Sequence, residues 1–371
     1  MRVGLLITSV GNFGQKGFYN AQEVGLAKEL DKLFDEVIVY KAIPESRIQQ
    51  IEDIEGCAHS TLHQIPVKSK GTNGIWDCNV MDASIDALIY FSDTQLSAPK
   101  VYRWCKKNGI RLFPYIGVVE SHSTNRFKKM IIDALFYRNV NVYKKCTCFV
   151  KTPAVEKKLN GNGIKNTVVT PVGLDISLLK DKYETVSPVE LKRKYGYSEN
   201  DRVLLFIGRL IEEKQPVAMI EILSEVKKKN NCYKLLMIGK GELKQEIENK
   251  INELNLTDSV QMIAQIANSD IWELYRFADA FVNLNRQEIF GMAILEAMYY
   301  SCKVVAWNAP GPSLIIENGK YGWLAESNQE VVKRILDPRN IGDEAHKRVL
   351  NEFTWTSSAR KIFSVVGEMK I

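Results

Sequence analysis

The chain has 371 residues, of which 45% are hydrophobic and 25% are charged, with a formal net charge of +6. This is the composition of a globular protein long enough for two domains. No apolar run reaches the roughly 18–20 residues that a membrane-spanning helix needs. The first apolar stretch leads into a Gly-rich loop, which indicates a buried strand rather than a signal peptide. We therefore expect a cytoplasmic protein.

The first half of the chain alternates apolar strands with helical stretches. Strands are predicted at 3–9, 36–40, 87–91, 111–118 and 147–151, with a helix within 19–33 and helices between the last three strands. Alternation of this kind is typical of a parallel, doubly wound sheet. We expect a Rossmann-like domain over residues 1–180, and the polar stretch that follows predicts a linker over 181–200.

The same pattern restarts in the second half. Strands are predicted at 202–207, 234–238, 259–263, 280–283 and 303–306, with a helix that begins at Pro216 and a charged helix that ends near Leu254. A second Rossmann-like domain is thus expected over 201–350, and a helix over 351–371 is expected to return to the first domain. Two such sheets predict an α/β protein whose domains face a central cleft at the carboxyl ends of the strands.

The segment from Glu288 to Glu296 is the most informative in the chain. A strand is expected before it, so Glu288 lies on a loop, and Glu296 lies inside the helix that begins near Met292. The start of that helix presents free backbone N–H groups and a positive dipole end. The arrangement suits a ligand with phosphates and hydroxyl groups. Taken alone, the two carboxylates are equally compatible with an ordinary solvated helix.

Together with several other motifs, this segment resembles the retaining nucleotide-sugar glycosyltransferases of family 4, part of glycosyl transferases group 1, which have the GT-B fold. The motifs are a Gly loop after the first strand, a Pro-Val-Gly-Leu-Asp turn, Gly-Arg-Leu followed by Lys214, Gly-Lys-Gly-Glu, and the two glutamates eight positions apart. The resemblance extends over most of the chain, and the paired glutamates are its most specific part.

The resemblance implies a role for individual residues. Glu296 matches the glutamate that binds the donor ribose, and Glu288 matches the one near the donor sugar. Arg209 and Lys214 match the cations that hold the diphosphate, although an ordinary surface pair is the alternative. His122 matches a histidine that faces the donor sugar, where the alternative is a structural histidine. The catalytic candidates are therefore His122, Arg209, Lys214 and Glu288.

The remaining donor-binding residues implied by the resemblance contribute mainly backbone. They are Gly14, Gly17, Gly208, Gly239, Phe290, Gly291 and Met292, in addition to Arg209, Lys214 and Glu296. The implied reaction is glycosyl transfer with retention at the anomeric carbon, through a transition state that resembles an oxocarbenium ion. Two fixed cations beside the diphosphate stabilise the charge of the leaving group, so no metal or other cofactor is expected.

The sequence departs from the family pattern at several points. The first Gly loop has Gly17-Phe18 where two glycines are usual, and Leu284-Asn285 replaces Pro-Ser. The stretches 299–303 and 309–312 also differ. Because the last stretch lies on the donor's sugar side in the family, the identity of the sugar does not carry over.

Metal binding is not predicted from the cysteines and histidines. The seven cysteines are scattered without C-x-x-C spacing, which favours buried free thiols in a reducing compartment. His59 and His63 have a spacing that suits zinc on a helix, but neither a third ligand nor a helical stretch lies near them.

Basic residues are concentrated in the first half. Residues 100–165 hold 15 basic and 3 acidic side chains, an excess of 12. Within them, 126–138 has the pattern of an amphipathic helix with Phe127, Met130 and Ile131 on one face. A helix that faces the core is one interpretation, and a surface for an anionic membrane or a lipid-diphosphate acceptor is the other. Nucleic acid binding is disfavoured because no groove-reading motif or aromatic platform accompanies the charge.

We therefore expect an enzyme that moves a hexose-type sugar from a nucleotide-diphosphate sugar, with UDP-sugar favoured, to a saccharide or lipid-linked acceptor. The product would be a cell-surface polysaccharide or glycolipid. The enzyme would lie at the inner face of the cell membrane as a peripheral protein, in contact with the membrane through Arg126–Arg138. The alternatives are a nucleotide-sugar epimerase of similar fold and a non-catalytic scaffold that binds membrane or partners. No clear base for the epimerase is present, and the intact glutamate and cation set disfavours the scaffold.

Overall fold

The computed structural model describes residues 1–10, 22–93, 95–119, 126–177, 179 and 186–367. The chain forms two compact units. The first comprises Met1–Asp175 and Thr354–Ile371, and the second comprises Ile176–Phe353. Among the described residues, no helix is both long and apolar enough to cross a bilayer.

The first unit is built on a sheet whose described part has eight strands in the order β10-β9-β8-β7-β1-β2-β4-β3. The strands pair in parallel, except for β3, which is antiparallel to β4. Central strands such as β1 are continuous apolar runs because both of their faces are buried. The strands are β1 Arg2–Ile7, β2 Glu36–Pro44, β3 Gln50–Asp53, β4 Ser60–Val67, β7 Ala87–Phe91, β8 Arg111–Ile116, β9 Cys148–Val150 and β10 Thr167–Val169, and β5 Ser69–Lys70 and β6 Asn73–Gly74 form a separate ribbon.

Five described helices accompany this sheet. Thr152 caps α4 through its side chain, and Pro153 occupies the first turn, where its missing N–H costs no hydrogen bond. The helices are α1 Gln22–Asp31, α2 Ala98–Lys107, α3 Arg126–Tyr143, α4 Pro153–Gly161 and α13 Trp355–Gly367, and the residues Cys78–Val80 form a 3₁₀ turn.

The sequence pattern predicts no element between β2 and β7, but the chain there forms four strands and a 3₁₀ turn. His63 lies in β4 rather than on a helix, and its ring packs edge-on against Tyr40. The strands gave no signal because β3 is exposed along its whole length and most of β4 is only half-buried, so neither has an apolar pattern.

The second unit is built on six parallel strands in the order β13-β12-β11-β14-β15-β16. Its core is formed by these strands with α6, α7 and α11, and each fully buried Leu, Ile or Val contributes about 1.5–3 kcal/mol. The strands are β11 Arg202–Ile207, β12 Tyr233–Ile238, β13 Val260–Ile263, β14 Ala280–Asn283, β15 Val304–Trp307 and β16 Trp323–Ala325.

The helices of the second unit alternate with its strands, as the sequence predicts. They are α5 Pro188–Lys194, α6 Pro216–Lys229, α7 Lys244–Glu253, α8 Ile271–Phe277, α9 Met292–Tyr299, α10 Pro310–Ile316, α11 Asn328–Ile335 and α12 Gly342–Glu352, with 3₁₀ turns at Glu212–Lys214 and Thr257–Ser259. The two parallel sheets confirm the predicted α/β class.

The predicted linker over 181–200 contains a folded element. Helix α5 begins with a capping box between Ser187 and Glu190, and Tyr195 after its end packs on Phe277 of α8. The boundary between the units lies at Asp175 rather than at residue 180. The stretch looked like a linker because its many charged side chains face solvent, whereas the contacts that fix it are made by a few residues such as Leu191.

The chain returns to the first unit through α13. Leu174 pairs with Thr354 as an isolated bridge, and a Cβ atom on Gly173 would lie 2.2 Å from the backbone nitrogen of Trp355. Further along α13, the ring centroids of Phe34 and Phe363 lie 5.2 Å apart. A glycine at 173 is therefore what allows the two segments to touch, and α13 completes the core of the first unit.

Candidate active site

The order of strands in the second unit reverses beside β11. Strands β12 and β13 continue on one side of it, and β14, β15 and β16 continue on the other. In an open parallel sheet, the crevice beyond the carboxyl ends of the strands at such a reversal is the usual ligand site. The loops that follow β11 and β14 meet there, and they carry most of the candidate residues.

The loops that follow β11 and β12 touch through their backbones. The nitrogen of Gly208 donates to the carbonyl of Ile238 at 3.0 Å, and that of Leu210 donates to the carbonyl of Lys240 at 2.9 Å. A Cβ atom on Gly239 would lie 1.9 Å from the oxygen of Gly208. Only glycine fits at this position, so the sequence Gly239-Lys240-Gly241 fixes the loop that carries Arg209.

Arg209 and Lys214 share the loop after β11 but differ in their surroundings. Arg209 is exposed, and within the described part of the chain its side chain forms no ion pair. Lys214 ends the 3₁₀ turn, and its Nζ lies 2.9 Å from Oε2 of Glu288. Pro216 starts α6 two residues later. Arg209 is therefore available to an anion, whereas Lys214 already shares its charge with a carboxylate.

Asn285 holds the carboxylate of Glu288 in place. Its Nδ2 donates to Glu288 Oε2 and to Glu213 Oε1, each at 3.2 Å, and its Oδ1 accepts from the nitrogen of Gln287 at 2.9 Å. Asn285 itself is 2% exposed. In the sequence, Asn285 is recognisable only as a departure from a family pattern. Its role could not be predicted because it depends on partners that are up to 72 residues away.

The start of α9 is shaped by close backbone contacts. Gly291 has a φ of 102° at the N-cap, and no capping side chain claims the N–H groups of the first turn. The nitrogen of Gly311 donates to the carbonyl of Glu288 at 2.9 Å, and a Cβ atom on Gly311 would lie 2.1 Å from the oxygen of Phe290. The helix thus offers backbone donors and its positive dipole end.

Glu296 is a buried carboxylate with a fixed partner. It is 2% exposed within α9, and one of its oxygens accepts a hydrogen bond of 2.9 Å from the hydroxyl of Tyr275 in α8. The ring of Tyr275 stacks on Tyr300. A buried charge is costly unless it is hydrogen-bonded, so Tyr275 is part of what keeps Glu296 in place. No motif in the sequence points to Tyr275, which lies on a different helix.

The predicted site residues of the second unit therefore gather at one edge of its sheet. Those on the loops after β11, β12 and β14 and in the first turns of α9 are Gly208, Arg209, Lys214, Gly239, Glu288, Phe290, Gly291, Met292 and Glu296. The other three, Gly14, Gly17 and His122, lie outside the described residues. No group of three metal-ligating side chains comes together in the described ranges.

Part of the chain is similar to proteins of a known family. Residues 189–348 match the family described as glycosyl transferases group 1. Over 201 residues the chain is 24% identical to an alpha-monoglucosyldiacylglycerol synthase of Streptococcus pneumoniae, covering 54% of this chain and 46% of that protein. Over 229 residues it is 26% identical to an uncharacterized glycosyltransferase of Methanocaldococcus jannaschii, covering 59% and 56%. The matches thus span about half the length of these relatives.

Solved structures resemble the whole chain. The crystal structure of the Anabaena protein HepE in complex with UDP has a TM-score of 0.74 at 18% identity, and all of both chains is covered. Sucrose-phosphate synthase from Thermosynechococcus elongatus has a TM-score of 0.75 at 15% identity, with 99% of this chain and 98% of the other covered. At these identities the likeness shows the fold.

The two parallel sheets and the site at the second of them define a protein of the GT-B class. The part of the chain that matches the glycosyl transferases group 1 family is residues 189–348, which is less than half of its length.

Proposed function

We propose that the chain is a retaining glycosyltransferase that transfers a hexose-type sugar from a nucleotide-diphosphate sugar, with UDP-sugar as the favoured donor. The observation that carries the proposal is the arrangement at the carboxyl ends of β11 and β14: a buried, fixed carboxylate at Glu296, the uncapped start of α9, and the cations Arg209 and Lys214. The structure of HepE in complex with UDP supports uracil as the nucleobase of the proposed donor.

Each group has a role in the proposed reaction. Glu296 accepts hydrogen bonds from the ribose hydroxyls, because an ionised carboxylate has several acceptor sites. Arg209, Lys214 and the first N–H groups of α9 surround the diphosphate, and they stabilise the negative charge that grows on it as the bond to the sugar breaks. This stabilisation is electrostatic and comes from fixed groups, so the proposal requires no metal ion.

Retention follows from attack on the same face of the sugar that the diphosphate leaves. In the proposed step, the acceptor hydroxyl gives its proton to the departing phosphate as the new glycosidic bond forms at an oxocarbenium-like centre. Glu288, held by Asn285, lies beside the sugar and hydrogen-bonds its hydroxyls. His122 is proposed to face the sugar from the first unit.

The proposed acceptor is a saccharide or a lipid-linked saccharide, and the proposed product a cell-surface polysaccharide or glycolipid. The relative from Streptococcus pneumoniae is called a synthase of a glycolipid, which supports a lipid acceptor. The excess of basic residues over 100–165 supports a peripheral position at the inner face of the cell membrane.

Calorimetry with UDP and with a panel of nucleotide sugars tests the donor site. Glu296→Ala is expected to weaken UDP binding by about 10-fold or more, because a hydrogen bond to a charged group contributes about 1.5–3 kcal/mol. Glu273 provides a matched control, since it is also buried and also accepts from a tyrosine, Tyr195, at 2.8 Å. The ribose assignment is wrong if Glu296→Ala and Glu273→Ala bind UDP equally well.

A measurement of donor turnover distinguishes the proposed transferase from the epimerase and the non-catalytic scaffold. Release of UDP that depends on an added acceptor, with an α-linked product from an α-linked donor by NMR, supports retaining transfer. Conversion of the donor into its epimer without any acceptor would identify an epimerase. Absence of turnover with every donor and acceptor would favour the scaffold.

A further inference from the structure

Helix α3 exposes its apolar side chains to solvent over its first three turns. Phe127, Met130 and Ile131 are 73%, 59% and 52% exposed, and Tyr137 is 64% exposed. The buried side chains of the helix, such as Phe136, lie on the opposite side and nearer its end. The interpretation of this segment as a helix whose apolar face meets the core is therefore wrong.

The exposed side of α3 changes in chemistry along its length. Positions 127, 131, 134, 138 and 141 are spaced by three or four residues and so lie on one stripe of the helix. The stripe is apolar at Phe127, Ile131 and Ala134, and it becomes polar at Arg138 and Asn141. Lys145 follows in the turn after the helix. One continuous surface is thus apolar at one end and basic at the other.

The basic end of the stripe borders a groove of about 380 Å³ between α2 and α3. Four cations, Lys100, Arg103, Arg138 and Lys145, line the groove beside Tyr102, and none of its described lining residues is acidic. Arg103 and Arg138 donate to the backbone carbonyls of Pro99 and Leu96, which leaves their charges unneutralised.

The remaining two cations, Lys100 and Lys145, differ in the groups that they contact. Lys100 donates to the carbonyl of Trp76 at 2.8 Å and lies 3.9 Å from a carboxylate oxygen of Asp77. Lys145 lies 5.8 Å from the ring centroid of Tyr102. Arg103, Arg138 and Lys145 therefore provide most of the available charge, and this charge has the sign that a phosphate group requires.

We propose that the groove binds the phosphate of an anionic phospholipid while the apolar part of the α3 stripe enters the surface of the same membrane. A free phosphate in solution would contact the cations alone, and the exposed apolar side chains of α3 would remain in water. An anionic lipid surface uses both, since basic side chains meet the headgroups and apolar side chains meet the acyl boundary. The inference deepens the proposed membrane contact by naming its residues, and it does not depend on glycosyl transfer.

Sedimentation of the whole chain with vesicles, without any sugar nucleotide, tests the proposal. The vesicles contain either phosphatidylglycerol with phosphatidylcholine or phosphatidylcholine alone. The wild-type chain is expected to bind the anionic vesicles at least about tenfold more tightly. Arg103→Glu with Lys145→Glu should reduce that binding at least about tenfold, because each basic residue near the surface contributes roughly fivefold.

A matched pair of exposed lysines in the second unit provides the charge control. Lys229→Glu with Lys333→Glu alters the net charge by the same amount at positions on α6 and α11. This variant is expected to bind like the wild-type chain. Equal losses in the two charge variants would mean that net charge alone drives binding, and the proposed groove would then be wrong.

The apolar part of the surface has its own test. Phe127→Ser with Ile131→Ser should weaken binding to anionic vesicles at least about fivefold, whereas Ile48→Ser with Ile51→Ser, which are also exposed in the first unit, should not. Unchanged binding of the α3 variant would overturn the membrane proposal in favour of a soluble anion. A single-stranded oligonucleotide that binds more tightly than the vesicles would overturn it in favour of nucleic acid.

Discussion

Lys214 and Glu288 form an ion pair of 2.9 Å across the two loops that follow β11 and β14. Both residues are proposed to bind the donor, so each already has the other as its partner before a donor arrives. A diphosphate that enters the site must share Lys214 with this carboxylate. The affinity of the site for a nucleotide is therefore lower than its cations alone would give.

Removing the charge of Glu288 tests this competition. Glu288→Gln keeps the shape of the side chain but frees Lys214 and removes a negative charge near the phosphates. We expect UDP alone to bind about 3- to 10-fold more tightly, while kcat for transfer falls by about 100-fold or more because the sugar loses a charged partner. Calorimetry and steady-state kinetics measure the two effects.

Glu213→Gln is the matched control for Glu288→Gln. Glu213 lies 4.0 Å from Lys214 and shares Asn285 as a partner, but its side chain is more exposed. Its substitution is expected to change both quantities less than threefold. If Glu288→Gln binds UDP no better than the wild-type chain, the ion pair does not compete with the diphosphate.

Tyr275 is expected to act as a positioning residue for the ribose. Tyr275→Phe removes the hydroxyl that donates to Glu296 and leaves that buried carboxylate with one partner fewer. We expect a loss of about 1–3 kcal/mol in the free energy of unfolding, together with roughly fivefold weaker UDP binding.

Tyr195→Phe separates these two effects. Tyr195 donates to Glu273 at 2.8 Å in the same unit, and neither residue is among those proposed to bind the donor, so its substitution should lower stability without weakening UDP binding. Urea unfolding and calorimetry on both variants give the comparison. Equal UDP affinities in the two variants would show that Tyr275 has only a structural role.

Gly311→Ala is expected to damage the site through the backbone. The added Cβ atom would lie 2.1 Å from the carbonyl oxygen of Phe290, so the loops after β14 and β15 would have to move apart. We expect a loss of about 2–4 kcal/mol in stability and a marked loss of UDP binding. Gly161→Ala is the control, because its Cβ has nothing within 4 Å, and it should be neutral or slightly stabilising.

The stability of the second unit is expected to depend on pH through Lys303. Burial lowers the pKa of this lysine from 10.5 to about 8, although its ammonium group donates to the carbonyls of Ile335 and Asp337. Between these two pH values the unfolded chain binds more protons than the folded one, so the free energy of unfolding rises with pH. Below about pH 8 the cost of burying the charge is present in full.

Lys303→Met removes the buried charge and with it this contribution to the pH dependence of stability. The stability of the wild-type chain relative to Lys303→Met should increase from about pH 8 to pH 10.5 in urea titrations. Lys229→Met, on the exposed side of α6, should follow the wild-type profile. A constant difference between wild type and Lys303→Met across this range would contradict the lowered pKa.

Most of the second unit could be predicted from the sequence because its strands are short apolar runs that end in glycine or polar loops. The strand before Gly208 and the helix after Pro216 are examples, and Glu288 and Glu296 lie on the predicted loop and helix. The contacts that orient them could not be predicted. Tyr275 and Asn285 form hydrogen bonds with residues that are distant in the sequence, and no local sequence pattern predicts such pairs.

The first unit was less predictable for a different reason. The edge strand β3 and its neighbour β4 lack an apolar pattern, and the apolar residues of α3 suggested a core that they do not join. Periodicity shows which side chains share a face of a helix, but it does not show whether that face meets protein or solvent.

The return of the chain to the first unit imposes an order on synthesis. Residues 176–353 are contiguous, so they can fold as soon as they have left the ribosome. The first unit includes α13, whose Thr356 donates to Glu29 at 2.9 Å, and it therefore stays incomplete until α13 has been made. During translation the nascent chain is thus expected to complete the unit proposed to bind the donor before the unit that contains residues 1–175.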